Sequence, residues 1–117
     1  MSYKKVYEKL LALPEDKKRF ASARYFDSVG DYCVLGACAP ALSDVPAGMQ
    51  DRPIDRIVLY YPKVLEEILQ LGMTLREAGA LQNRNDTVVS YSDVKTKRYN
   101  TVMSWLEHRV KEEEDET

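Results

Sequence analysis

The segment between Pro62 and Glu77 carries the clearest helix boundaries in the sequence. Pro62 suits the first turn of a helix, because the N–H that proline lacks would be unpaired there in any case. Apolar side chains then recur at helical spacing as far as Gly72, a common helix terminator. Thr74 and Glu77 have the spacing of a capping box, which marks the start of a second helix. Two consecutive helices joined by a short turn therefore favour a largely helical fold.

Apolar periodicity elsewhere predicts further helices over residues 3–12, 15–22, 33–42 and 101–112. The last of these could begin as early as residue 91, and Pro40 could end the third near Cys38. Strand-like composition occurs at residues 23–28 and 54–61, and the second of these stretches could instead lead into the next helix. The fold expected is mainly α: a small single-domain helical bundle of about five helices, with room for a short β-hairpin.

The chain has 117 residues, of which 44% are apolar and 31% charged, which is ordinary for one folded domain. We expect one helical domain over residues 1–111, followed by an acidic, disordered tail over residues 112–117. No apolar run approaches the roughly 18 residues that span a membrane, and the first nine residues are too charged for a secretory signal. These features predict a cytoplasmic protein with no membrane partner.

The charge balance argues against a general nucleic-acid binder, because the net charge is −2 and such proteins usually have a basic excess. One segment of the chain nevertheless has features of a nucleic-acid binder. Lys95, Lys97 and Arg98 are interleaved with tyrosines, and residues 74–98 resemble a helix-turn-helix. The alternative function is therefore a DNA-binding regulator using residues 74–98, although the connection over residues 83–90 is long for such a turn.

The stretch Tyr32–Cys38 is rich in small residues, and we interpret it as a packing motif in which Gly36 permits the close approach of another helix. Cys33 and Cys38 are expected to be buried apolar residues. A zinc site needs about four ligands, and His108, expected at the surface, is the only histidine of the chain. We therefore expect no metal and no cofactor. No catalytic motif is recognisable either, so the chain is not expected to be an enzyme.

Polar side chains cluster at the end of the helix that follows Thr74, and they are candidates for gripping a ligand or a partner backbone. The same residue types also end helices and form turns, so a structural role stays open. The long irregular stretch of residues 43–55 adds carboxylates that are expected to be exposed. Two tyrosines follow this stretch, and tyrosine is a residue type favoured at interfaces. The candidate partner-binding residues are Asn83, Asn85, Asp86, Tyr60, Tyr61, Asp44, Asp51 and Asp55. A third hypothesis is an enzyme or small-ligand binder built around Cys33 and residues 83–86.

The order of the motifs resembles small uncharacterised proteins encoded by tailed phages and some bacteria, which share a Cys-x-Leu-Gly-Ala segment and a later Asn-Asp pair. The resemblance covers roughly residues 20–109. The matching residues are Cys33, Leu35, Gly36, Ala37, Leu81, Asn85, Asp86, Ser90, Val94, Val102, Trp105 and Leu106. The departures from the pattern are Cys38, the long loop and the acidic tail.

The resemblance implies a phage-encoded accessory protein that binds a host protein or ribonucleoprotein complex in the host cytoplasm. We hypothesise an inhibitor of a CRISPR effector or another defence nuclease, that is, an anti-CRISPR or related anti-defence protein. Nucleic acid is the less favoured partner.

Overall fold

The computed structural model describes residues 3–27, 29–88 and 92–115. Within these ranges the chain folds into six α-helices, joined by loops and by short 3₁₀ turns. The helices are α1 (Tyr3–Leu11), α2 (Val34–Cys38), α3 (Ile54–Tyr60), α4 (Pro62–Gln70), α5 (Leu75–Asp86) and α6 (Val94–Asp115). The mainly helical fold is thus confirmed. None of the described helices has both the length and the apolar character needed to cross a bilayer.

The first strand-like stretch does not form a hairpin. Within the described residues only an isolated antiparallel bridge joins Phe26 to Tyr32. Asp27 closes the intervening turn, because its carboxylate accepts hydrogen bonds from the backbone N–H groups of Val29 and Asp31. These local bonds shape a tight loop rather than two extended strands.

The second strand-like stretch is helical, and forms α3. Its buried residues Ile54, Ile57 and Val58 follow helical spacing and face the core, so tertiary packing outweighs the β preference of branched side chains. Tyr61 has non-helical backbone angles and separates α3 from α4, which begins at Pro62 as the sequence predicts.

Two predicted helices are shorter than expected. Helix α2 ends at Cys38, because Pro40 cannot donate a helical hydrogen bond, and a 3₁₀ turn continues over Pro40–Asp44. The helix predicted over residues 15–22 is reduced to a 3₁₀ turn at Glu15–Lys17. Beyond this turn the backbone N–H of Phe20 donates to the carbonyl of Lys95 instead of extending a helix.

Helix α6 is longer than the span predicted for it. It begins at Val94, between the two starts predicted for it, residues 91 and 101, and the earlier of these lies outside the described residues. It also continues through residues 112–115, where a disordered tail was expected. The Glu113 carboxylate accepts a hydrogen bond from the backbone N–H of Tyr3, and Arg109 pairs with Glu112 one turn on. These contacts with α1 and within α6 explain why the helix does not end at residue 111.

Helix α2 lies at the centre of the core, since all of its residues are buried. It packs against α1 and α5, and α6 covers α1 and α5 from outside. Gly36 does permit a close approach, but the neighbour is a loop rather than a helix. A Cβ at this position would meet the carbonyl oxygen of Tyr25 and the Cβ of Tyr32.

The capping box of α5 is confirmed. The Thr74 hydroxyl accepts from the backbone N–H of Glu77 at 3.1 Å, and the Glu77 carboxylate accepts from the N–H of Thr74 at 2.9 Å. Tyr3 of α1 donates its hydroxyl to the Glu77 carbonyl, which ties the same turn to α1. The start of α5 is thus fixed both by its own cap and by a contact with α1.

Candidate functional site

Asn85 is a structural residue, which corrects its assignment as a partner-binding residue. Its side chain is completely buried. The carboxamide oxygen accepts from the N–H of Val34 at 3.2 Å, and the nitrogen donates to the Ala21 carbonyl at 2.9 Å. This carboxamide thus satisfies a backbone N–H at the start of α2 and a carbonyl in the segment before it, and it is inaccessible to a partner.

Asp86 follows Asn85 but is exposed at the end of α5. Its Oδ1 accepts from the Asn85 amide at 2.9 Å, and its Oδ2 accepts from Gln82 Nε2 at 3.0 Å. Gln82 in turn accepts a hydrogen bond from the thiol of Cys33 at 3.2 Å. A hydrogen-bonded chain of side chains therefore runs from the buried core to an exposed carboxylate, and it holds that carboxylate in place.

The long loop of residues 43–55 is fastened by Gln50, a residue that the sequence interpretation missed. Gln50 is 6% exposed. Its amide nitrogen donates to the carbonyls of Leu42 and Val45, and its oxygen accepts from the N–H of Phe26 at 3.0 Å. A single glutamine in a proline-containing loop carries no pattern that marks it as buried, so no sequence signal could have identified it.

A groove lies between this loop, the start of α3 and the outer face of α5, and we call it the α3–α5 groove. Its volume is about 630 Å³, within the usual range of ligand sites. It contains four of the eight predicted partner-binding residues: Asp51, Asp55, Asn83 and Asp86. Its full lining is Ala23, Tyr25, Gln50, Asp51, Arg52, Pro53, Ile54, Asp55, Arg76, Gly79, Gln82, Asn83 and Asp86.

The charges of the α3–α5 groove are mixed, with three carboxylates and the guanidinium groups of Arg52 and Arg76. The carboxylates of Asp51 and Asp55 form no hydrogen bond or ion pair with any residue that the structure describes. Tyr25 supports the groove from below, since its buried hydroxyl donates to the Arg52 carbonyl. Burial raises the pKa of Tyr25 well above its usual range, so this hydroxyl keeps its proton.

The remaining predicted partner-binding residues lie outside the groove lining. Asp44 is exposed in the 3₁₀ turn after α2. Tyr60 is 72% exposed at the end of α3, beside Leu59 at 69%. Tyr61 is partly buried against the core. The structure therefore separates the eight residues into a groove set, a buried structural residue and three positions elsewhere.

The cysteines are buried and free, as the sequence predicts. Burial raises the pKa of both Cys33 and Cys38 to about 12, because a thiolate would lose its hydration in the core. Across the described ranges, no three side chains of His, Cys, Asp or Glu are grouped so that they could hold a metal ion. His108 is exposed on α6, as expected. The hypothesis of chemistry at Cys33 thus gains no support from the thiol itself.

The basic residues of the DNA-binding alternative are largely engaged within the chain. Lys95 Nζ lies 2.7 Å from carboxylate oxygens of both Asp27 and Asp31. Arg98 donates to the carbonyl of Phe20 at 3.1 Å. Cations committed to internal contacts are poor ligands for phosphate, which makes this segment a weaker candidate than the α3–α5 groove.

The functional assignment therefore rests on the α3–α5 groove rather than on the segment of the DNA-binding alternative. Comparison with models of known protein families, with curated proteins and with solved structures finds no match to this chain.

Proposed function

We propose that the chain acts by binding another protein, without catalysing a reaction, and that the α3–α5 groove is its binding site. One observation carries this proposal: Asp51 and Asp55 share a groove with Asn83 and Asp86, although the two pairs lie in different segments. The groove combines the apolar surfaces of Ala23, Pro53 and Ile54 with charged and carboxamide side chains, and a concave surface with both kinds of group is a candidate binding site. Its lining places no histidine, cysteine, serine, threonine or lysine beside these carboxylates, which favours binding as the interpretation.

The partner we infer presents a lysine or arginine side chain to this groove. Asp51 and Asp55 have unused acceptors, and charge-assisted hydrogen bonds to carboxylates are among the strongest that a surface can form. Pro53 offers an apolar surface to the methylene stem of such a side chain. Arg52 and Arg76 favour a partner segment that also carries a carboxylate, because they would repel a purely basic one.

We further propose that the partner is a host protein or ribonucleoprotein complex, such as a CRISPR effector or another defence nuclease. The chain would then be a phage-encoded inhibitor acting in the host cytoplasm. This identity is supported by the resemblance to phage proteins. It is also supported by charge, since nucleases hold nucleic-acid phosphates in cationic channels that carboxylates can occupy instead.

The experiment that tests the groove compares two variants with equal charge changes. The first is Asp51→Asn with Asp55→Asn; the second, a control, is Glu8→Gln with Asp16→Asn, which alters exposed carboxylates outside the groove. Each chain is immobilised, exposed to lysate of a bacterial host carrying its defence systems, and the retained proteins are quantified by mass spectrometry. We expect a stoichiometric protein with the native chain and the control, and about tenfold less with the groove variant.

Equal retention of the protein by both variants would show that the binding site lies outside this groove. Retention of no protein by the folded native chain would contradict the binding function. The inhibitor identity has its own test, in which a purified nuclease of the retained complex is titrated with the native chain. Cleavage that persists at saturating binding would reject inhibition while leaving the binding function intact.

A further inference from the structure

A second concave surface lies between the end of α5 and the outer face of α6, and we call it the Trp105 pocket. Its volume is about 410 Å³. The α6 residues that line it fall on one stripe of the helix, because their spacing follows successive turns. The lining is Arg84, Asn100, Thr101, Ser104, Trp105 and His108. No residue lines both this pocket and the α3–α5 groove.

Every side chain of this lining can donate a hydrogen bond, and none is a carboxylate. Apart from Trp105, whose ring contacts are described below, these side chains form no hydrogen bond or ion pair with any part of the chain that the structure describes. In a protein with a net charge of −2, a concave surface that holds one cation, five other hydrogen-bond donors and no carboxylate differs from the rest in its charge.

The ring of Trp105 is held in place from several sides. The Tyr3 ring packs edge-on against it, with 5.2 Å between the centroids. The Cζ atom of Arg109 lies 5.0 Å from the ring centroid, and that of Arg84 lies 6.0 Å from it. Arg109 also pairs with Glu112 at 3.6 Å, whereas Arg84 is exposed and contacts no carboxylate of the described residues. Arg84 is therefore the guanidinium available to an anion.

We propose that the Trp105 pocket binds a phosphate group carried on a small organic molecule. The Arg84 guanidinium has the fork of donors that matches phosphate oxygens, and the hydroxyls of Thr101 and Ser104 add neutral donors. Asn100 and His108 supply donors at the ends of the stripe. The pocket is larger than a phosphate requires, so the indole of Trp105 forms an apolar wall for the base or sugar that carries it. This site is independent of the proposed function, because it uses none of the groove residues.

The test uses Trp105 as its own reporter, since it is the only tryptophan of the chain. Intrinsic fluorescence is followed while the native chain is titrated separately with inorganic phosphate, ribose 5-phosphate, adenosine 5′-monophosphate and adenosine. We expect saturable changes with the phosphate-bearing compounds and none with adenosine. The phosphate-bearing compound that binds most tightly identifies the natural ligand. Inorganic phosphate points to the free ion, ribose 5-phosphate to a sugar phosphate, and adenosine 5′-monophosphate to a nucleotide.

A pair of arginine variants links this signal to the pocket. Arg84→Gln removes the guanidinium of the pocket, whereas Arg76→Gln is the control, since Arg76 is also exposed on α5 but lines the other groove. We expect Arg84→Gln to weaken binding about tenfold, as expected for the loss of a charge-assisted contact, and Arg76→Gln to leave it unchanged. Thermal unfolding of both variants checks that they are folded.

Amide and indole NMR spectra provide a readout that does not depend on a fluorescence change. Binding in the pocket shifts the Trp105 indole N–H and the amides of residues 100–108. Absence of these shifts at millimolar phosphate compound would overturn the proposal. Shifts confined to the α3–α5 groove, or equal weakening by both arginine variants, would also overturn it. Binding of duplex DNA without any binding of the small phosphates would reassign the surface to nucleic acid.

Discussion

The side-chain oxygen of Asn85 accepts a hydrogen bond from the backbone N–H of Val34, 51 residues earlier in the chain, at 3.2 Å. This bond joins the last turn of α5 to the first turn of α2, whose N–H groups have no partner within that helix. The sequence presents Asn85 as one of several equivalent polar residues at a helix end. The structure distinguishes it from Asn83, which is exposed two residues away.

Substitution of Asn85 should therefore affect stability rather than binding. Asn85→Ala leaves the N–H of Val34 and the carbonyl of Ala21 buried without their partner, and we expect a loss of about 3 kcal/mol. The control Asn83→Ala alters an exposed side chain and should change stability by less than about 0.5 kcal/mol. Urea unfolding followed by circular dichroism measures both. Equal effects at the two positions would refute the structural role of Asn85.

Two glycines in helices should respond to alanine with opposite signs. Gly36→Ala places a methyl group against the Tyr25 carbonyl and the Tyr32 Cβ, and we expect a destabilisation of about 1–3 kcal/mol. Gly79→Ala meets nothing within 4 Å in α5 and should stabilise the protein by about 0.5–1 kcal/mol, because alanine favours the helix. The melting temperatures of the two variants test this. A stabilised Gly36→Ala variant would show that the loop over α2 is not closely packed.

The pair of carboxylates around Lys95 should make stability depend on pH. Burial opposes ionisation of Asp27, but hydrogen bonds from Lys95 and from two backbone N–H groups hold its pKa below the usual value. Its contribution is therefore complete above the unfolded-state pKa of about 4 and is lost as the pH falls through the native value. The hydrogen bonds that Lys95 donates to the carboxylates of Asp27 and Asp31 raise the pKa of its ammonium group. That contribution is complete below about pH 10.4 and is lost as the pH rises through the native value.

Replacing Lys95 by an uncharged residue tests this dependence of stability on pH. Lys95→Met should cost about 2 kcal/mol at pH 7, because it removes two charged hydrogen bonds and leaves two carboxylates close together. The difference from the native chain should shrink below pH 4. Lys63→Met is the control, since Lys63 lies 3.9 Å from Glu66 with both side chains exposed. A stability difference that stays constant from pH 3 to pH 7 would contradict the assigned electrostatics.

The thiols should be inert in the native state. Both cysteines are buried, and their pKa values of about 12 leave almost no thiolate at pH 8. We expect Ellman's reagent to label neither residue of the folded protein within minutes and to label two thiols per chain in guanidinium chloride. Rapid labelling of Cys33 in the folded protein would revive the hypothesis of a reactive thiol beside Gln82.

The boundaries of the fold were predictable where a local chemical signal existed. Pro62 and the Thr74 capping box correctly mark the starts of α4 and α5. The sequence does not decide between strand and helix for α3, because its branched residues favour a strand locally and only burial of one face selects the helix. The early end of α2 follows from Pro40, which the sequence already shows.

The candidate site was predictable only in part, for a physical reason. Asp51, Asp55, Asn83 and Asp86 were identified by residue type, but type alone cannot separate them from Asn85, whose burial depends on contacts with distant backbone. Gln50, which anchors the loop, has no neighbouring pattern that reports its burial. The burial of Asn85 and that of Gln50 both depend on contacts with residues distant in the sequence.

The pairing of α1 with α6 has a consequence for how the protein is made. Tyr3 bonds to Glu113, 110 residues away, and Leu10 accepts from the hydroxyl of Tyr99. An amphipathic helix of nine residues is marginal in water without its packing partner. During synthesis α1 therefore leaves the ribosome with its apolar face uncovered and stays so until α6, about 80 residues later, has emerged. Truncation of α6 would leave an aggregation-prone nascent chain, even though the α3–α5 groove lies in the part already made.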